Sequence, residues 1–303
     1  VITSYEPEFQ TGTVITGKWN KGQYIVERLL GEGANGKVFL VRKGKMPYAL
    51  KLGFDVIDHQ SEVNALKALS KSSSSFSAYL HDVDDCVVDG NELPFCVMRY
   101  IKGQPLPEFL YQNGFDWMYV IGLNLLKKLS ELHTRGYAFG DLKTDNMIVS
   151  QHGEVELVDF GGVTYKGRAV KQFTEAFDRG FWAAGSRNAD DGYDLFAFAV
   201  VMIAAADSTN RLGTFKQILP QNRSVDYLLD MVNGNKRLAK AAPFLRKALK
   251  GEYRSSKEAV SEWRRHIWRR MPSMSDGSPR NWLKICFAAS VILFASTLYF
   301  YWS

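Results

Sequence analysis

The chain has 303 residues, 46% apolar and 23% charged, which excludes a disordered polymer and suits one two-lobed domain of roughly 250 residues plus an appendage. The net charge of +6 is uneven: residues 236–284 carry fourteen Lys or Arg against four Asp or Glu, so that stretch is +10 and the remainder −4. The basic stretch points to an anionic partner, nucleic acid or membrane surface, while three cysteines without C-x-x-C spacing and five scattered histidines exclude a disulfide framework or structural zinc and imply a reducing compartment.

Residues 1–12 read as a loose arm, and VITSYEPEFQ has neither the basic nor the apolar run of a secretory signal. From Gln23, YIVERLLGEGANGKVFLVRKG reads as two strands joined by a glycine turn, with Gly31, Gly33 and Gly36 matching G-x-G-x-x-G. A strand follows that turn where a dinucleotide fold would open a helix. The expected element is a strand-turn-strand flap whose backbone N–H groups can lie over phosphates, with Leu30 and Val38 flanking it. Lys51 comes next, in the apolar strand Tyr48-Ala49-Leu50-Lys51, where a buried ammonium requires partners. Glu62 is the candidate partner; it opens the helical run SEVNALKALSK, with Val63, Leu66 and Leu69 on one face.

A serine-rich loop at residues 71–77 and strands around Val87 and Phe95 lead to CVMRYIKG, after which a helical half begins. Residues 117–133 have helical apolar spacing at Val120, Leu123, Leu126, Leu129 and Leu132, with His133 expected to cap or pack the helix end. Residues 137–162, YAFGDLKTDNMIVSQHGEVELVDFGG, then put Asp141, Lys143 and Asn146 on one loop and, after a strand, a turn at Gly153 and a second strand, add Asp159. Two carboxylates, an amide and a lysine suit transfer of a phosphoryl group: one carboxylate orients a hydroxyl, the amide and the other carboxylate hold Mg²⁺, and the lysine offsets charge. Further on, YDLFAFAVVMIAAA reads as a buried helix, with Asp194 near its start.

At the far end WRRHIWRR alternates aromatic and cationic residues, so Arg264, Arg265, Arg269 and Arg270 are candidate contacts to DNA or anionic lipid. Residues 285–302 carry no charge and have aromatic residues at both ends. As a helix of about 27 Å they match a bilayer core, and the basic flank would put the preceding bulk in the cytoplasm.

In order and spacing these motifs resemble eukaryotic-like (Hanks-type) Ser/Thr protein kinases. The resemblance implies an α+β, two-lobed kinase fold with a β-rich N-lobe and a helical C-lobe over residues 13–260, a basic juxtamembrane segment and linker at 261–284, and a transmembrane helix at 285–302. It implies an ATP site built from Leu30, Gly31, Gly33, Gly36, Val38, Ala49, Lys51 and Glu62, with Met98 as gatekeeper and the backbone of Arg99 and Ile101 facing adenine. It implies Asp141 and Lys143 as catalytic residues, Asn146 and Asp159 as Mg²⁺ ligands, and ATP and protein hydroxyls as substrates. Lys143 favours Ser/Thr substrates over the small molecules that aminoglycoside-type phosphotransferases use; a pseudokinase scaffold is the non-enzymatic alternative. Phe139-Gly140 stands where the family has His-Arg, which removes the usual dock for a phosphorylated activation segment. Ala183-Ala184-Gly185 lacks the glutamate of A-P-E, and Thr164 and Thr174 are candidate autophosphorylation sites. Within the family, FGDLK, the DRGFWAAGSR segment and the basic stretch before a terminal apolar helix are similar to the YabT-type sporulation kinases of Bacillus relatives. That similarity implies a kinase anchored in the cytoplasmic membrane, activated by DNA, with pairing of two copies for trans-autophosphorylation left open.

Overall fold

The computed structural model describes residues 7–33, 35–70, 75–270 and 279–302. The smaller lobe holds β1 (Val14–Thr16), β2 (Gln23–Gly33), β3 (Gly36–Lys43), β4 (Met46–Gly53), α1 (Val56–Ser70), β5 (Leu80–Val88) and β6 (Asn91–Arg99), the strands forming one antiparallel sheet in the order β1-β2-β3-β4-β6-β5. The two-residue period of a strand sorts the side chains. Tyr24, Val26, Phe39, Val41, Leu50, Leu52, Phe95 and Val97 make the core on one face. The register sets Val38 opposite Lys51 and Ala49 opposite Met98, so these four share the other face. Leu30 sits at a register shift between Leu29 and Gly31.

The arm is less loose than its composition suggests. Pro7 is buried and Phe9 meets Phe39 edge-on at 5.3 Å, while residues 1–6 lie outside the described residues. Helix α1 also begins earlier than the run from Glu62, because the Asp55 carboxylate accepts from the N–H groups of Ile57 and Asp58 at 2.8 and 2.9 Å and supplies the N-terminal cap.

The larger lobe contains β7 (Gln104–Pro105), α2 (Leu106–Asn113), α3 (Trp117–Thr134), β8 (Tyr137–Ala138), β9 (Met147–Val149), β10 (Val155–Leu157), β11 (Thr164–Tyr165), α4 (Asp191–Ala206), α5 (Val225–Gly234), α6 (Ala242–Leu249) and α7 (Ser256–Arg270). Helix α4 is apolar on every side and is buried as such. Helix α3 buries Met118, Ile121, Leu125, Leu126, Leu129 and Leu132, whereas Val120 is 42% exposed; the buried stripe is rotated from the one read off leucine spacing. Its last residues bring His133 into the core and hand the chain to β8.

The boundary expected near residue 260 is corrected by α7. Ala259 and Trp263, four residues apart on one helical face, are both buried. The Trp263 indole lies 4.9 Å from Phe244 and 5.4 Å from Phe198, and its Nε1 donates to the Tyr119 carbonyl at 3.1 Å. The lobe therefore extends through α7, and Trp263 is a core residue rather than a surface aromatic. Arg264 and Arg265 are exposed on the same helix; the side chains of Arg269 and Arg270 lie outside the described residues.

A final helix, α8 (Pro279–Trp302), is 24 residues long. It exposes Phe287, Val291, Ile292, Leu293, Phe294 and Leu298. Among the described residues no helix is long and apolar enough to cross a membrane; the side chains of Ile285, Ala288, Ala295 and Phe300, which belong to the expected span, lie outside them.

Removing the Trp263 side chain opens the junction of α3, α4, α6 and α7. Trp263→Ala is expected to lower unfolding free energy by about 3–5 kcal/mol, read as a shifted urea midpoint. An unchanged midpoint would mean that α7 does not pack on the lobe.

Candidate active site

The site forms where the loop between β8 and β9 faces the uncored side of the small-lobe sheet. The loop is suspended from Asp194, on the first turn of α4. This fully buried carboxylate accepts from the N–H groups of Phe139 at 2.6 Å and Gly140 at 3.0 Å, and lies 2.8 Å from His133 Nε2. His133 thus packs the end of α3 as expected. Gly140 has φ +82°, and a Cβ there would lie 2.4 Å from the Gly162 carbonyl oxygen. The missing arginine is therefore more than a deleted charge, because the backbone at 140 leaves no room for a side chain.

Asp141 follows, with each carboxylate oxygen occupied. Lys143 Nζ donates to Oδ2 at 2.9 Å, and the Thr174 hydroxyl donates to Oδ1 at 2.8 Å. Lys143 also reaches the Thr174 hydroxyl at 3.2 Å, and Asn146 Nδ2 donates to the Asp141 carbonyl at 2.9 Å. Thr174 is a member of this cluster that sequence reading treated only as a modification candidate; nothing in its local spacing marks it, since it arrives from 33 residues along the chain. Thr164 is buried, with its hydroxyl donating to the Gly162 carbonyl at 2.9 Å, so the folded chain does not offer it for modification.

Opposite the loop, Lys51 Nζ lies 2.7 Å from Glu62 Oε2 and 2.8 Å from Asp159 Oδ1. The expected Lys51–Glu62 pair is formed, and Asp159 joins it. Burial works against the Lys51 ammonium, but Glu62 and Asp159 outweigh it and hold its pKa above the ordinary lysine range. Burial likewise opposes Asp159, yet Lys51 outweighs it and holds that carboxyl below the usual range. Glu62 Oε1 also accepts from Phe160 N at 3.1 Å. Phe160 itself is buried, edge-on to Tyr79 at 5.2 Å and to Phe139 at 5.9 Å. One stack of rings therefore joins the residue before β5, the turn after Asp159 and the loop between β8 and β9.

The flap between β2 and β3 leaves space over this cluster. A Cβ at Gly31 or Gly33 would meet nothing within 4 Å, whereas one at Gly36 would lie 2.0 Å from the Leu52 carbonyl oxygen. Gly36 thus closes the flap onto β4 while the other two keep it low and open. Below it Val38, Ala49, Lys51 and Met98 share one sheet face, and Met98 and Ile101 pack against the main core. The Arg99 N–H is spent on the Tyr79 carbonyl at 2.8 Å, so only its carbonyl remains for a ligand. Its guanidinium turns away to Glu156 Oε1 at 3.1 Å, and Lys128 holds the other oxygen of that carboxylate at 2.5 Å.

The segment beyond Thr174 is anchored without the absent glutamate. Buried Asp178 accepts from Arg187 Nε at 2.7 Å and the Tyr193 hydroxyl at 2.9 Å, and Arg179 forks onto Asp190 at 2.9 and 2.7 Å.

A glycine flap, a lysine–glutamate pair joined by Asp159, and the loop carboxylate Asp141 beside Lys143 make up the machinery of phosphoryl transfer from ATP. The model of the protein kinase domain matches residues 24–250. The chain belongs to the protein kinase family. It is 38% identical over 261 residues to the serine/threonine-protein kinase YabT of Bacillus subtilis (strain 168), covering 85% of this chain and 75% of that protein. Protein kinase C delta type from Homo sapiens is 27% identical over 48% of this chain and 23% of its own length. Among solved structures the kinase domain of ROP18, described in complex with AMP-PNP and sucrose, superposes with a TM-score of 0.61 at 11% identity over 84% of each chain, a likeness of fold. The protein is an ATP-dependent serine/threonine protein kinase, and the readings as a small-molecule phosphotransferase or a pseudokinase give way to that.

Its small lobe carries a pH-dependent contribution to stability. His59, in the first turns of α1, lies buried against Gly53, and burial, reinforced by Lys51, pushes its pKa down from 6.5 to about 4. Between those values the unfolded chain binds the extra proton, so this contribution is complete above pH 6.5 and is lost as pH falls toward 4, amounting to about 3 kcal/mol at most. His59→Leu is expected to flatten the fall in melting temperature over that window. An equally steep fall in the variant would assign the acid sensitivity elsewhere.

Proposed function

We propose that Asp141 orients and receives the proton of a substrate Ser or Thr hydroxyl, with Lys143 offsetting charge on the phosphoryl group in flight. The observation that carries this is the hydroxyl of Thr174, which already donates to Asp141 Oδ1 at 2.8 Å with Lys143 Nζ at 3.2 Å. A side-chain hydroxyl is thereby held between base and ammonium as a substrate's would be. Leu30, Gly31, Gly33 and Gly36 cover the nucleotide, Val38 and Ala49 sandwich its base against Met98, and Arg99 and Ile101 meet its edge through main chain. Lys51, fixed by Glu62, neutralises phosphate charge.

The residues present fit Mg²⁺ as the partner of ATP. Asn146 spends its amide nitrogen on Asp141, leaving its carbonyl oxygen, and the partly exposed Asp159 carboxylate faces the same cleft. Among the described residues no three His, Cys, Asp or Glu side chains form a metal cage, which suits an ion that takes most of its oxygens from phosphates and water. When bound, it would supply charge for the terminal phosphates.

The second part of the reading concerns partners. Lys236, Arg237 and Lys240 are exposed around a cleft of about 320 Å³ whose floor is Phe115 and Tyr119. Arg237 and Lys240 stand over those rings at 5.5 and 5.6 Å. Tyr119 also carries the Trp263 indole, so the cleft adjoins α7 with its exposed Arg264 and Arg265. Cations interleaved with aromatics over a stable lobe favour DNA as the ligand, and DNA binding as the regulatory input. The uncharged part of α8, in which Phe287, Val291, Ile292, Leu293, Phe294 and Leu298 are exposed, supports a single membrane span that keeps the kinase on the cytoplasmic face.

Asp141→Asn is expected to lower transfer to a protein substrate by about 10²–10⁴-fold with little change in the KM for ATP; unaltered turnover would remove Asp141 from the role of base. For the basic cleft, the salt dependence of duplex DNA binding is the decisive readout. In K236Q/R237Q/K240Q the log–log slope is expected to fall by about 2 to 3, and DNA stimulation of the kinase to weaken with it. A slope equal to that of the unaltered chain would contradict DNA binding at this surface.

A further inference from the structure

A second basic cleft, remote from the tail, lies between α1 and β11. It has a volume of about 200 Å³ and is lined by Ser61, Asn64 and Ala65 on one side and by Tyr137, Tyr165, Arg168 and Lys171 among the residues of the other. Ser61, Asn64 and Ala65 recur at helical spacing, so α1 presents one polar face to it. The lining includes two cations and no carboxylate. Among the described residues Lys171 Nζ is held by a neutral group alone, the Ser61 hydroxyl, at 2.7 Å, and the exposed Arg168 guanidinium makes no ion pair or hydrogen bond. The neighbouring Lys166, by contrast, is paired with Asp191. Two cations gathered at the mouth of a concave site with hydroxyl and amide donors, and no counter-ion inside it, form a ready receptor for a compact oxyanion.

We infer that this cleft binds a phosphoryl anion, as phosphate or a phosphate monoester, bridging Arg168 and Lys171 to the Ser61 and Asn64 face of α1. The position gives binding a consequence. Ser61 precedes Glu62, which holds Lys51, and Lys171 lies three residues before Thr174, which holds Asp141. An anion in the cleft ties the helix that sets the ATP lysine to the segment that sets the catalytic carboxylate. The familiar charge arrangement is thereby reversed: the activation segment supplies the cations, and the anion comes from outside it. This is a different site and a different ligand from the tail-proximal DNA surface.

The test uses the full chain in detergent, without DNA, with the nucleotide cleft saturated by a non-hydrolysable ATP analogue and Mg²⁺. Inorganic phosphate is titrated against chloride at equal ionic strength, following melting temperature and hydrogen exchange. Phosphate, and not chloride, is expected to raise the melting temperature and slow exchange across residues 56–70 and 165–174. R168Q/K171Q should weaken phosphate binding by about tenfold or more, and R168K/K171R should retain most of it, which separates loss of charge from misfolding. A phosphoserine peptide in place of inorganic phosphate distinguishes the sources: competition with phosphate assigns the site to a phosphorylated side chain, and its absence to the free anion. Equal phosphate binding by R168Q/K171Q, or no difference between phosphate and chloride in the unaltered chain, overturns the assignment.

Discussion

A carboxylate with no exposed surface, Asp194, carries the arrangement of the active site. Burying a charge costs several kcal/mol unless its lone pairs are met. Here they are met by the N–H groups of Phe139 and Gly140 and by His133, with the positive end of α4 beside it. The exchange fixes the peptide that precedes Asp141. Because that peptide is fixed, Gly140 can take φ +82° against the Gly162 carbonyl, and the catalytic loop and the turn after Asp159 touch through backbone where a side chain would stand between them.

Position 140 also bears on how the activation segment is held. With no arginine at 140, the usual dock for a phosphorylated activation segment is missing from the catalytic loop. The segment is held by other means: Thr174 on Asp141, Asp178 on Arg187 and Tyr193, and Arg179 on Asp190. The ring stack of Tyr79, Phe160 and Phe139 and the Lys51–Glu62–Asp159 cluster are likewise closed. The described parts of the site are thus held by contacts among the chain's own side chains and backbone.

The catalytic cluster was legible in the sequence because its members are fixed by short spacings: Asp141, Lys143 and Asn146 share one loop, and Asp159 follows by a single hairpin. The Lys51–Glu62 pair was legible too, since a lysine in an apolar strand demands a carboxylate. What escaped depends on distance or on packing. Thr174 reaches Asp141 through tertiary structure alone. The start of α1 rests on Asp55, a cap overlooked beside the stronger apolar run. Trp263 resembled a surface aromatic because its neighbours are arginines, yet the helical offset from Ala259 turns it into the core. The Arg99 side chain is held by Glu156, a residue on β10 that no local pattern links to it.

The same logic separates the basic residues into groups with different work. Lys236, Arg237 and Lys240 ring an aromatic floor under the large lobe, while Arg168 and Lys171 face α1. The central claim is that the catalytic arrangement is complete before any phosphorylation of the chain. It is tested most directly by the first turnovers of phosphatase-treated enzyme on a protein substrate, followed from mixing with ATP. The account predicts product rising linearly from the start, unchanged by prior incubation with ATP; a lag that such incubation abolishes would contradict it.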